Sequence, residues 1–106
     1  MHFIDLQQVE LKEFFPGLRA RMVHTDKQTF AYWEIDAGAE LPAHSHPHQQ
    51  TSMVTKGEME LTIDGVSQVL RPGMVAVIPS NAVHSGKALT YVEVTDVFFP
   101  ARDDYR

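Results

Sequence analysis

The residues of this chain whose types and spacing can do chemistry are His44, His46, Gln50 and His84. Imidazole nitrogens and an amide oxygen are donors to a divalent metal ion, and an ion demands geometry as well as donor type. His44 and His46 are separated by one residue, so on a strand of period two both rings leave one face. A single ion can then take both at about 2.0–2.2 Å. Gln50 has the same parity, but an extended strand would carry it about 13 Å past His46, at roughly 3.3 Å per residue. The chain must therefore turn between them, and Pro47 in HSHPHQQ is placed to start that turn. His84 follows the turn-rich PSNAVH far downstream, so the donors come from different strands, as a closed β-barrel would require. His48, directly after the proline, is read as a solvent-facing or pocket-rim residue, and His2 and His24 as surface or core histidines.

A second group lies in YVEVTDVFFPARDDYR. Asp96 and Phe98 are two apart and share a strand face, while Arg102 follows the Pro100 corner. Spacing alone leaves two readings. One is an Asp–Arg pair closing an edge strand with Phe98 in the core. The other is a proton-transferring carboxylate beside a guanidinium that holds a substrate anion.

The elements that must position these residues read as strands nearly throughout. Residues 18–24, 28–36, 50–56, 58–64, 66–71, 74–78 and 90–99 combine alternation with β-branched and aromatic side chains, each bounded by turn signals. Asp64-Gly65, between EMELTI and VSQVL, predicts a type I′ hairpin. Residues 5–14 are expected to form one short helix or irregular turn. Phe30 and Tyr32 share one strand face and Trp33 takes the other; Arg19 and Arg21 share a face expected to be solvated. Short, evenly spaced strands without helical periods argue for an all-β sandwich or barrel.

Composition bounds the function. The 106 residues are expected to form one domain, 1–106, and at 43% hydrophobic and 22% charged they read as an ordinary globule. A formal charge of −5 with no Lys/Arg cluster argues against nucleic acid as a partner. The absence of cysteine excludes disulfides and thiolate metal sites. No segment has the length of a membrane span, and Asp5, Glu10 and Glu13 interrupt the N-terminal stretch where a signal peptide needs a basic start and an apolar run. The expectation is a cytoplasmic protein with no membrane partner.

The motifs resemble the cupin family. Gly38, His44, His46, Gln50 and Gly57 fall in the register of the first cupin motif, and Gly73, Pro79 and His84 in that of the second. Gln50 stands for the usual Glu, Asn81 for a Gly and Ala88 for the final Asn. Asn tolerates the left-handed backbone that Gly supplies. The resemblance implies a double-stranded β-helix, the cupin jelly-roll barrel.

HSHPHQQ, the Gln at the fourth donor position and Asp-x-Phe-x-x-x-Arg near the C-terminus resemble more closely the small cupins of the KdgF type. That group opens the ring of 4,5-unsaturated uronate monosaccharides in pectin and alginate breakdown. The resemblance implies that His44, His46, Gln50 and His84 hold one divalent ion, with Ni, Zn, Mn, Fe and Cu all admissible. It also implies that Asp96, Phe98 and Arg102 form the catalytic pocket, that the partner is a small sugar acid, and that the chain forms a homodimer. Four neutral donors leave the ion its full charge, which suits Lewis-acid chemistry better than the redox chemistry of a carboxylate-containing shell. The alternatives are a cupin dioxygenase of the quercetinase type and a non-catalytic sugar-binding cupin.

Overall fold

The computed structural model describes residues 2–106. A 3-10 turn at Leu6–Gln8 opens the described chain, its first N–H groups capped by Asp5, whose carboxylate accepts from the Gln7 N–H at 3.0 Å. The strands that follow are β1 (Lys12–Phe15), β2 (Leu18–His24), β3 (Thr29–Ile35), β4 (Glu40–His44), β5 (Gln49–Lys56), β6 (Met59–Ile63), β7 (Val66–Leu70), β8 (Val75–Ile78), β9 (His84–Ala88) and β10 (Val92–Phe99). They form two antiparallel sheets that make up the jelly roll. The larger runs β1-β2-β3-β10-β5-β8 and the smaller β4-β9-β6-β7. No helix among the described residues is long and apolar enough to cross a membrane.

Seven of these strands lie where alternation placed them, within a residue or two at each end. Three were not expected. β1 occupies the second half of the segment read as helix or turn, and β4 and β9 are short and poor in β-formers. Pro42 is tolerated in β4 because that strand is an edge of the smaller sheet. Gly86 in β9 leaves room for the Met59 methyl group, which would have to move for a Cβ there. Both strands exist because partners complete their ladders, an influence that a short local window does not contain.

The pleat decides what enters the barrel. β3 and β10 alternate buried and half-buried along their lengths, which sends Thr29, Ala31, Trp33 and Ile35, and Val92, Val94, Asp96 and Phe98, to the interior. Pairing aligns Asp96 with Ala31 on one side and Ser52 on the other, and Ser52 with Ala76. A row of small side chains therefore crosses the inner face at the level of Asp96. The adjoining levels carry Trp33, Val94 and Val54 on one side and Thr29, Phe98, Gln50 and Ile78 on the other. Small residues between large ones leave space inside an otherwise filled barrel. On the outer face Arg19 pairs with Asp36 at 2.8 Å and Arg21 with Glu34 at 2.9 Å, so these arginines lie on a solvated face as expected.

Positive φ marks the tight corners. Asp64 (φ 48°) and Gly65 (φ 82°) both take it, as a type I′ hairpin requires. Asn81 holds φ 65° where the family motif has Gly. Gly57 (φ 82°) is confined further, because a Cβ would collide with the Tyr91 carbonyl, whereas Gly38 (φ 83°) faces open space. Gly38→Ala should cost about 1–2 kcal/mol from backbone conformation alone, and Gly57→Ala clearly more. Urea unfolding of the two variants checks this; equal losses would show that the Tyr91 contact yields without cost.

Candidate metal centre and pocket

Three elements deliver the histidines. His44 ends β4 and lies directly opposite His84 at the start of β9, with ring centroids 4.2 Å apart. His46 does not continue β4: that strand stops at His44, and His46 stands in the turn that follows. The expectation of one strand face for both is therefore corrected. The two rings converge, centroids 5.5 Å apart, because the turn after β4 redirects the chain. That turn is held from outside. The Asn81 N–H donates to the His46 carbonyl at 2.8 Å and the Ser80 hydroxyl to the Pro47 carbonyl at 2.6 Å. The left-handed backbone of Asn81 thus positions His46.

All three rings are fixed in one tautomer. Nδ1 of His44 lies 3.0 Å from the Pro42 carbonyl, Nδ1 of His46 lies 2.9 Å from that of His48, and Nδ1 of His84 lies 3.0 Å from that of Ala82. A carbonyl only accepts, so each Nδ1 carries the proton and each Nε2 presents a lone pair. Ligand atoms of the three rings all lie within 4.8 Å of one another, so the group could hold a metal ion. His84 Nε2 is buried with no hydrogen-bond partner. Burial holds the His46 ring down to a pKa of about 4, helped by the nearby charges of Arg102 and His84. Burial likewise lowers that of His84.

Gln50 enters from β5, buried, with Oε1 3.1 Å from His46 Nε2. In the tautomer that the His48 carbonyl imposes, these two atoms are both acceptors. They face each other without a proton between them, an arrangement that a cation reconciles. An orphaned buried Nε2, three aligned lone pairs and an apposed amide oxygen fit the divalent ion that the cupin motifs imply. His48 is half-buried, its ring 5.6 Å from that of His46, and it is not part of the three-histidine group.

These side chains line a cavity of about 90 Å³ together with Ser52, Asp96, Phe98, Arg102 and Tyr105, over an apolar floor that includes Trp33, Leu61, Leu70 and Val94. Asp96 accepts from the Ser52 hydroxyl at 2.6 Å. Its burial pushes the carboxyl up to about 6; the bond from Ser52, the amide of Gln50 and the indole N–H of Trp33 all oppose that rise. The Trp33 N–H acts through proximity alone, since it makes no hydrogen bond of its own.

Arg102 is buried but does not pair with Asp96. Its backbone N–H donates to Thr29 Oγ1 at 2.8 Å, which fixes the tail beneath the barrel mouth. Its guanidinium lies 4.8 Å from the Phe98 ring centroid and 4.1 Å from that of Tyr105, and forks onto Asp104 through Nε at 3.0 Å and Nη2 at 2.8 Å. The structural reading of an Asp96–Arg102 pair is therefore excluded, and the fork is shared with an exposed carboxylate instead. Phe98 walls the cavity, its ring edge-on to His46 at 5.6 Å.

Sequence reasoning missed Ser52, Asp104 and Tyr105. Ser52 has the parity of Gln50 and Val54, and a hydroxyl at that inward position was a readable signal. Asp104 and Tyr105 lie in a 3-10 turn beyond the last strand, where no period applies.

A jelly roll of two antiparallel sheets with a histidine cluster inside one end is the architecture of a cupin barrel. The Cupin domain family model matches residues 31–98, and the chain belongs to that family. The structure is similar to an RmlC-like cupin from Shewanella frigidimarina, with TM-score 0.94 and 32% identity over 100% of this chain and 96% of that one. It is also similar to KdgF from Halomonas sp., with TM-score 0.93 and 28% identity over 100% and 99%. Likeness to the salicylate 1,2-dioxygenase of Pseudoaminobacter salicylatoxidans, 18% identical over 81% of this chain and 26% of that one with TM-score 0.78, extends to the fold alone. No curated protein sequence matches the chain.

The Asp96 carboxyl has a folded pKa of about 6 against an ordinary 3.8. A group raised in this way stabilises the fold below its ordinary pKa, and that contribution is lost as the pH rises through 6. Asp96→Asn should therefore stabilise the metal-free protein by about 3 kcal/mol at pH 8, with the gain vanishing near pH 4. Urea midpoints across that range read the effect, and a gain that grows toward low pH would contradict the burial of the carboxylate.

Proposed function

We propose that this cupin opens the ring of cyclic 4,5-unsaturated uronate monosaccharides to give linear 4-deoxy-5-keto uronates, with no redox step. The observation that carries the reading is a buried carboxylate, Asp96, in the same small cavity as a cluster of neutral metal donors, with Arg102 and Phe98 beside it. The likeness to KdgF from Halomonas over the whole chain supports it, as do the shared motifs.

The substrate is a cyclic hemiacetal whose ring oxygen belongs to an enol ether. Opening moves a proton from the C1 hydroxyl and breaks the bond between C1 and the ring oxygen. C1 becomes an aldehyde and the electron pair passes to an enolate at C5. A proton then joins C4, leaving a ketone at C5, and the product is an isomer of the substrate. Asp96 takes the first proton and supplies the second. Burial has raised its basicity, as a group that accepts and returns a proton near neutral pH requires. Phe98 packs along the ring and excludes water.

Arg102 receives the substrate carboxylate in exchange for Asp104. That pair has an exposed partner, with the Asp104 side chain 54% accessible, so Asp104 can pass to solvent while the substrate carboxylate takes its place on the buried guanidinium. His44, His46, His84 and Gln50 hold the divalent ion. When bound, it supplies Lewis-acid stabilisation of the negative charge that develops on substrate oxygen.

Incubation of metal-loaded protein with freshly generated unsaturated galacturonate should accelerate loss of the ultraviolet enol-ether absorbance above the spontaneous rate; a rate equal to the blank removes the proposal. Asp96→Asn should lower kcat about 10²–10⁴-fold with metal content unchanged, and full activity would remove Asp96 from the chemistry. Arg102→Lys keeps the charge but loses the planar fork, and should reduce kcat/KM at least about 10-fold. An unchanged kcat/KM would rule out the carboxylate clamp.

A further inference from the structure

Gln50 differs from the glutamate it replaces in one respect that the geometry makes consequential: its two terminal atoms are not equivalent. Only the oxygen can be a metal donor, whereas the NH₂ group would donate to His46 Nε2 and block the lone pair that the ion needs. Something must decide which way the amide faces. Its far atom, Nε2, lies 3.1 Å from Ser52 Oγ, and Ser52 Oγ lies 2.6 Å from Asp96 Oδ1. Both contacts are buried, with Ser52 4% exposed.

A serine hydroxyl has one proton. The Asp96 carboxylate offers only acceptors, so Ser52 donates to it and must accept from Gln50. The reverse amide orientation would set the Gln50 oxygen and the Asp96 oxygen in competition for that single proton and leave one buried acceptor unsatisfied. Register enforces the arrangement, because Ser52 and Asp96 are direct partners on neighbouring strands and Gln50 is the next inward residue of β5. We infer that Ser52 is a positioning residue that locks the Gln50 amide oxygen-inward, so that the hydrogen-bond chain from Asp96 through Ser52 to Gln50 prepares the metal centre. The inference rests on the metal-centre reading and adds a function for a residue outside the proposed donor set.

Binding of Co²⁺ at pH 8, read by titration and by its visible absorption, tests this. The parent protein should bind Co²⁺ at one site. Ser52→Ala removes the hydroxyl that accepts from the amide's NH₂ face, and should weaken Co²⁺ affinity about 10-fold or more and alter the visible band. Ser52→Thr keeps the hydroxyl and should restore both. The decisive comparison places Ser52→Ala in a Gln50→Glu background. A carboxylate presents oxygen whichever way it turns, so loss of Ser52 should there change affinity by less than about 3-fold. An equal drop in both backgrounds would show that Ser52 acts through packing, and overturn the inference. So would a Ser52→Ala protein whose affinity and band match those of the parent. A parent protein that binds no Co²⁺ would instead remove the metal-centre reading itself, and the amide lock with it.

Discussion

A polar group taken out of water into the barrel must find a partner or remain at a cost of about 1–3 kcal/mol, and this requirement organises one whole end of the molecule. Each buried imidazole meets it with Nδ1, by donating to a carbonyl two residues away in its own segment. Gln50, Ser52 and Asp96 meet it through one another. At the histidine cluster this leaves over the Nε2 of His84 and the acceptor pair formed by His46 Nε2 and Gln50 Oε1, while Trp33 Nε1, Arg21 Nε and His48 Nδ1 are also buried without a partner. The unmet groups at the cluster are all acceptors, which a cation would take up.

The two ends of the inner face divide the work of stability and chemistry. Ile35, Val54 and Val92 close one end as an apolar core, while the same alternation carries Asp96 and Phe98 to the other. Asp96 is destabilised as a carboxylate by burial, which on the proposed function also raises its basicity as a base. Functional sites commonly carry this kind of local cost, offset by packing elsewhere. The space around it exists because Ala31 and Ala76 flank Asp96 and Ser52 in their row.

The tail completes the cavity from outside the sheets. Thr29 anchors the backbone of Arg102, and the guanidinium packs against both Phe98 and Tyr105 while its fork rests on Asp104. A cation in this mouth and neutral donors beneath it favour an anionic ligand that offers oxygen to both. The fork is held by a carboxylate that is itself exposed, so on the proposed function an incoming carboxylate would exchange one charge-assisted pair for another.

How much of this was legible before folding follows from the range of each signal. The hairpin at Asp64-Gly65, the left-handed Asn81, the inward parity of Asp96 with Phe98 and the turn at Pro47 are local, and sequence determines them because backbone sterics and the period of two act within a few residues. That His44, His46 and His84 could form one group, with Gln50 proposed beside them, was readable for the same reason, as residue types at motif spacing. Tertiary structure alone decided that β4 and β9 are strands, that His46 reaches the cluster from a turn and not from a strand face, that Arg102 pairs with Asp104, and that Ser52 stands between Asp96 and Gln50. Those facts depend on register between strands distant in the chain and on which buried groups satisfy each other, and neither is a property of any short stretch of residues.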